Sequence, residues 1–223
     1  MIENSINKFG SKTSGLGDIL LLTSICKYKP MQYTIQLPEK QKRFSILFEG
    51  LANVEITENI TTLKDIGGGH YATRKMRDIY GTKAELLDNK PLVLYSDHES
   101  EEWVDKFIKE NSKDKTPVVF QPNCSKQWNH VRALPPEVKS NIKSQLSSQG
   151  AYVIDLSENE QLDLRKYICL LRKVGLYFGT NTGDFHLAVA VGAVCHIYEP
   201  KNNQFFQDYE WNYSHPSISY NKL

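Results

Sequence analysis

Three short stretches combine residue types that could do chemistry at a phosphate or a hydroxyl. The first is Gly15-Leu16-Gly17-Asp18, followed at once by ILLLTSI. Gly15 and Gly17 let the backbone turn tightly and approach a ligand, and the helix that follows begins with unpaired N–H groups. Asp18 stands at that helix start, as an ordinary cap or as a carboxylate presented to a ligand. The second stretch is Asn123-Cys124-Ser125-Lys126-Gln127-Trp128, directly after the apolar run PVVFQ. Ligands of open α/β sheets bind beyond the carboxyl ends of strands, so Lys126 is either a phosphate-binding cation or a solvated loop lysine beside a packing tryptophan. The third is Gly179-Thr180-Asn181-Thr182-Gly183-Asp184-Phe185-His186. Small hydroxyl residues and Gly183 at a helix start leave amides open to a diphosphate, with the positive end of the dipole behind them. The alternative is a well-capped core helix, with Thr182 or Asp184 as cap and His186 as a satisfied buried histidine.

These stretches need elements to hold them, and hydrophobic patterning supplies a set. In the second half, strands are expected at 117–121, 151–156, 176–178 and 194–198, with helices at 136–149, 160–173 and 184–191. Near-continuous apolar strands alternating with helices predict a parallel sheet covered on both faces. In the first half, helix 17–28, strand 31–37, amphipathic helix 39–48, a basic helix 70–80 and strand 91–96 predict a second α/β unit, with Ile6 and Phe9 in no more than a stub of a first strand. The stretch 97–116 is highly charged, and its Trp103, Phe107 and Ile108 suggest a surface helix ending in a polar linker. The expected organisation is therefore an N-terminal Rossmann-like lobe (1–96), a charged helix and linker (97–116) and a C-terminal Rossmann-like lobe (117–223).

Composition bounds the function. The chain has 223 residues, about one and a half domains at roughly 150 residues each, and 27 Lys and Arg against 26 Asp and Glu give a net charge of +1. A near-neutral balance argues against stable nucleic-acid binding through a global positive field. With 40% hydrophobic residues the chain can build a core. No secretory leader and no run of 18 apolar residues is visible. The four cysteines, Cys26, Cys124, Cys169 and Cys195, lie far apart, so they read as reduced thiols of a cytoplasmic protein. Neither an Asp-x-Asp motif nor a metal-spaced His/Cys cluster is present.

GLGDILLLTSI, SKQW after a strand, and GTNTGDFHLAVAVGA, in that order, resemble glycosyltransferase family 9, the heptosyltransferase-like enzymes of the GT-B superfamily. The resemblance covers most of 15–28 and 117–200. It implies two small Rossmann-like lobes with an interlobe cleft and transfer of a sugar from a nucleotide diphosphate sugar to a glycan or glycolipid, with peripheral membrane contact for a lipid acceptor. It implies no cofactor and no metal. Asp18 matches the general base, Lys126 the lysine that neutralises the donor phosphates, and Thr182, Gly183 and His186 the segment that holds the diphosphate. A single preorganised donor is worth about 3 kcal/mol in such a transition state, so Lys126→Ala is expected to be far more damaging than loss of a surface lysine. Thr180, Asn181, Asp184 and Glu199 complete the expected donor site, Glu199 as a hydrogen-bond acceptor for ribose hydroxyls or as an ordinary exposed glutamate. Asn181 replaces the family's usual aspartate, Asp184 a common proline, and Glu199 a glycine. Two other readings are a sugar-nucleotide-binding module without catalysis and an enzyme that glycosylates modified DNA bases.

Gly67–Gly69, with His70, Arg74, Lys75 and Arg77, form either a loop and basic face for an anionic acceptor or a turn and a solvated helix. The aromatic tail (Phe205, Phe206, Tyr209, Trp211, Tyr213, Tyr220) is expected to pack in the core or across the lobes.

Overall fold

The computed structural model describes residues 7–10, 15–29, 31–58, 64–65, 85–124, 132–158, 162–199, 213 and 215–223. The chain divides into two compact units, Met1–Tyr95 and Ser96–Leu223.

The first unit is built on a parallel sheet of four strands, β1 (Asn7–Gly10), β2 (Tyr33–Gln36), β3 (Val54–Thr57) and β4 (Lys64–Asp65), in the order β3-β2-β1-β4. The expected stub is thus a full central strand: Asn7 pairs with Tyr33 on one side and Phe9 with Lys64 on the other. Helix α1 (Leu16–Tyr28) follows it, with Ile19, Leu20, Leu21, Leu22, Ile25 and Cys26 all buried. A helix apolar on nearly every side must be covered on nearly every side. Polar side chains stitch it in place. Asn53 donates to the carbonyls of Cys26 and Met31 at 2.9 Å each, and Ser24 Oγ accepts the Leu86 N–H at 2.8 Å.

One expectation is met in a particular form and one is corrected. The amphipathic helix expected at 39–48 is present as a 3₁₀ helix, Glu39–Phe48, burying Gln41, Phe44, Leu47 and Phe48 at the three- and four-residue spacing that either helix type shares. The strand expected at 91–96 joins no sheet among the described residues, although Leu92 and Leu94 are buried while Val93 and Tyr95 face out. Period-two burial satisfies an apolar strand pattern without a ladder partner.

The second unit opens with α2 (His98–Ser112), capped by Asp97, whose carboxylate accepts the Ser100 N–H at 2.8 Å. Strands β5 (Thr116–Gln121), β6 (Ala151–Asp155), β7 (Leu176–Gly179), β8 (Val194–Glu199) and β9 (Ile218–Lys222) form one parallel sheet in the order β6-β5-β7-β8-β9. Helices α3 (Pro136–Ser148), α4 (Leu164–Val174) and α5 (Gly183–Ala190) link the strands. Ile142 and Leu146 of α3 pack on Val118 and Phe120 of β5. α4 ends at Gly175, whose φ of +66° is the left-handed conformation that glycine adopts without cost.

The charged helix α2 belongs to this unit and is fastened to α4. Lys173 pairs with Asp105, Arg165 lies 3.5 Å from Asp97, and the Lys166 ammonium sits 5.4 Å over the Trp103 ring. β9 was not expected. The described members of the aromatic tail, Tyr213 and Tyr220, both meet Phe185 edge-on in the core of this unit.

Candidate functional site

In each unit the chain reverses direction beside its first strand. β1 is flanked by β2 on one side and β4 on the other, and β5 by β6 and β7. Loops that leave the carboxyl ends of the two strands flanking such a switch point splay apart and open a crevice.

In the first unit the loop after β1 enters α1 at Leu16. Gly15 is the N-cap residue, with ψ near 180°, and Gly17 is buried inside the first turn. Asp18 lies at the third helical position, half-buried, and its Oδ2 accepts the Gly15 N–H at 2.9 Å. Its carboxylate is therefore oriented by the helix start, in the manner of a capping-box acid.

In the second unit the loop after β5 begins Pro122-Asn123-Cys124, and the loop after β7 runs Thr180-Asn181-Thr182 into α5. Gln121 and Gly179 are register partners, and the Thr180 N–H bonds to the Gln121 carbonyl at 3.3 Å, so the two loops start side by side. Lys126 lies outside the described residues, as do Gly67–Gly69, His70, Arg74, Lys75, Arg77, Phe205, Phe206, Tyr209 and Trp211.

The start of α5 is unusual in two ways. Thr182 is the N-cap residue, yet its hydroxyl caps no helix amide and instead donates to Asp184 Oδ2 at 3.3 Å. Thr180 is fully buried, and its Oγ1 meets no hydrogen-bond partner among the described residues. A buried hydroxyl without a partner costs about 1–3 kcal/mol. The first amides of α5 receive no bond from the side chain of the N-cap residue, the Thr182 hydroxyl being turned to Asp184.

Below this loop Tyr177 fills the space along β7. An added Cβ at Gly179 would lie 2.7 Å from the Tyr177 hydroxyl and 2.5 Å from the Gln121 carbonyl oxygen. Glycine is thus required here by contact and not by its φ. Burial, and then the nearby Asp184 carboxylate, push the phenols of both Tyr177 and Tyr167 well above the ordinary tyrosine range. Asp184 therefore acts electrostatically on the core beneath the helix as well as on its amino end.

His186 is buried, and its Nδ1 is hydrogen-bonded to the Tyr213 hydroxyl. Tyr213 is tied in turn to Tyr220, whose hydroxyl accepts the Tyr213 N–H at 3.0 Å. Glu199 ends β8 on the same carboxyl edge of the sheet, and burial raises its carboxyl above the usual range, opposed by Lys222. The unit thus collects Thr180, Asn181, Thr182, Gly183, Asp184, His186 and Glu199 along one edge, while Gly15, Gly17 and Asp18 are grouped in the other unit. Asn123 and Lys139 were missed as a pair: the Lys139 ammonium donates to Asn123 Oδ1 across sixteen residues of sequence. No local pattern announces such a contact.

No protein-family model matches the sequence, and no curated protein matches it. Solved structures that share its fold include three glycosyltransferases. The glycosyl transferase family 9 structure from Veillonella parvula aligns with a TM-score of 0.63 at 11% identity, over 100% of this chain and 88% of that one. The iron-containing dodecameric glycosyltransferase TibC from enterotoxigenic E. coli gives 0.59 at 14%, over 97% and 63%. E. coli ADP-heptose LPS heptosyltransferase II gives 0.52 at 10%, over 98% and 90%. The expected α/β fold with two parallel sheets of the GT-B kind is therefore found. Among the described residues no helix is long and apolar enough to cross a membrane.

Proposed function

We propose that this chain is a glycosyltransferase that moves a sugar from a nucleotide diphosphate sugar to a hydroxyl of a glycan or glycolipid, without a metal and with inversion. The observation that carries the reading is the start of α5, where the N-cap residue Thr182 makes no side-chain bond to the helix amides and the buried Thr180 hydroxyl has no partner among the described residues. That is a site for anionic oxygen at the switch point of a parallel sheet. The fold shared with three glycosyltransferases supports the same class.

The chemistry follows from the parts. Transfer breaks the bond between the anomeric carbon and the diphosphate oxygen, and forms one to the acceptor oxygen. Asp18 takes the acceptor proton, its carboxylate aimed by the Gly15 N–H. Lys126 and the amides from Thr182 to Phe185 receive the charge that builds on the departing diphosphate, which is the role of a preorganised anion hole. Glu199, at the end of the neighbouring strand, accepts hydrogen bonds from the ribose hydroxyls.

A thermal-shift screen of ADP-, GDP-, UDP- and CDP-sugars tests the donor, because a ligand that binds the native state raises the melting temperature. Asp18→Asn tests the base. The amide oxygen still accepts the Gly15 N–H, so folding is retained, while transfer falls by about 10²–10⁴-fold. Full transfer activity in this variant removes Asp18 from the role, and the absence of a shift with all four donors removes the donor reading.

A further inference from the structure

We infer that Lys139 is a second cation of the donor site, held at the switch-point crevice by Asn123, and that it binds the diphosphate of the nucleotide. The inference rests on the donor reading above and adds to it a residue that no sequence motif marks. Asn123 is the second residue past β5 and so stands beside the Thr180 loop, because Gln121 is the register partner of Gly179 and its carbonyl accepts the Thr180 N–H. Lys139 lies in the first turns of α3, the helix that leaves the carboxyl edge of β5. Its Nζ donates to Asn123 Oδ1, and both residues are half-buried.

The choice of partner is the informative feature. The neighbouring lysine on the same helix face, Lys143, is neutralised by two carboxylates, with Asp155 at 2.9 Å and Glu158 at 2.7 Å. Lys139 meets only a neutral amide oxygen, and among the described residues no carboxylate pairs with it. A half-buried ammonium with no carboxylate beside it is unfavourable for the empty fold, because burial penalises a charge that is not compensated. An ammonium has three donors, and Asn123 takes one. A diphosphate oxygen would use another and supply the missing negative charge. A lysine serving only to hold the loop would gain more from a carboxylate at position 123.

The test uses the full chain and whichever of ADP, GDP, UDP or CDP it binds most tightly, with the matching nucleoside as the control, measured by isothermal titration calorimetry. Lys139→Gln keeps an N–H for Asn123 and loses the charge. It is expected to weaken nucleoside diphosphate binding roughly tenfold, the effect of one charge-assisted hydrogen bond, and to leave nucleoside binding unchanged. Lys139→Arg restores most of the affinity. Asn123→Asp separates function from structure: it neutralises Lys139 in place, so it is expected to hold or raise the melting temperature while weakening diphosphate binding by a similar factor. Unchanged diphosphate affinity in Lys139→Gln and Asn123→Asp overturns the inference and leaves the donor reading standing. An equal loss for nucleoside and diphosphate overturns it too, showing a collapsed loop. If the wild-type chain binds none of the four diphosphates, the donor reading itself fails, and this inference with it.

Discussion

Gly179→Ala is the sharpest probe of how the loop between β7 and α5 is built. The new Cβ would stand 2.5 Å from the Gln121 carbonyl oxygen and 2.7 Å and 2.9 Å from the hydroxyl and Cζ of Tyr177. Neither neighbour can yield cheaply. The carbonyl belongs to β5, the ladder partner of β7, and accepts the Thr180 N–H; Tyr177 is fully buried. Overpacking of this kind costs typically 1–3 kcal/mol, and with a backbone atom among the contacts the upper end applies, about 3 kcal/mol. For a unit of about 130 residues that lowers the melting temperature by about 10 °C. Tyr177→Phe in the same chain removes one of the three contacts and is expected to return about 1 kcal/mol, a coupling that a double-mutant cycle reads directly. Urea unfolding followed by circular dichroism supplies the four values. A Gly179→Ala variant within about 0.5 kcal/mol of wild type, or two additive substitutions, would refute the claim that the tyrosine occupies the glycine's side-chain space.

Thr180→Val removes a buried hydroxyl that has no partner among the described residues, so the empty protein is expected to be unchanged or stabilised by about 1 kcal/mol, while the melting-temperature rise induced by the bound nucleoside diphosphate shrinks; thermal shifts with and without ligand read both signs. Asp184→Asn takes a negative charge from the amino end of α5. It is expected to cost the empty fold about 0.5 kcal/mol through the helix dipole and to tighten diphosphate binding severalfold, measured by calorimetry. Glu199 has a raised carboxyl pKa from burial, so its contribution favours folding below the ordinary glutamate pKa and turns unfavourable as the pH rises through the folded value. Glu199→Gln is therefore expected to raise the melting temperature at pH 7 and to leave it unchanged below about pH 4.

The elements of the second unit were legible because their signals are local. PVVFQ, AYVIDL and the helix between them announce themselves through apolar runs, Pro-Pro at a helix start and Gln-Gly at its end, and the structure moves each expected boundary by no more than one residue. Alternating burial was legible too, but strand pairing was not. PLVLYS has the alternation of a strand and buries Leu92 and Leu94, yet joins no ladder among the described residues, while the NKFG segment, poor in apolar residues, forms a central strand paired on both sides. Ladder membership depends on what lies alongside, which no single segment encodes. The 3₁₀ helix at Glu39–Phe48 makes the same point at shorter range, since spacings of three and four are common to both helix types.

For the site, the residue types were readable and their duties were divided differently. Asp18 could be seen as a cap or a base; the structure shows the capping contact, and that contact is what aims the carboxylate. Asp184 was read toward the ligand, but its charge also acts on Tyr167 and Tyr177 beneath the loop. Its oxygen accepts from Thr182, so the hydroxyl best placed to cap the helix is diverted. If the start of α5 binds an anion as proposed, the Asp184 carboxylate opposes that binding and a nearby cation favours it. Lys139, set against an amide where Lys143 is set against two acids, is one described cation that could serve in this way. Calorimetry on Asp184→Asn, Lys139→Gln and the double variant reads whether the two charges act on a bound diphosphate independently, the expected outcome being effects that add within about 0.5 kcal/mol.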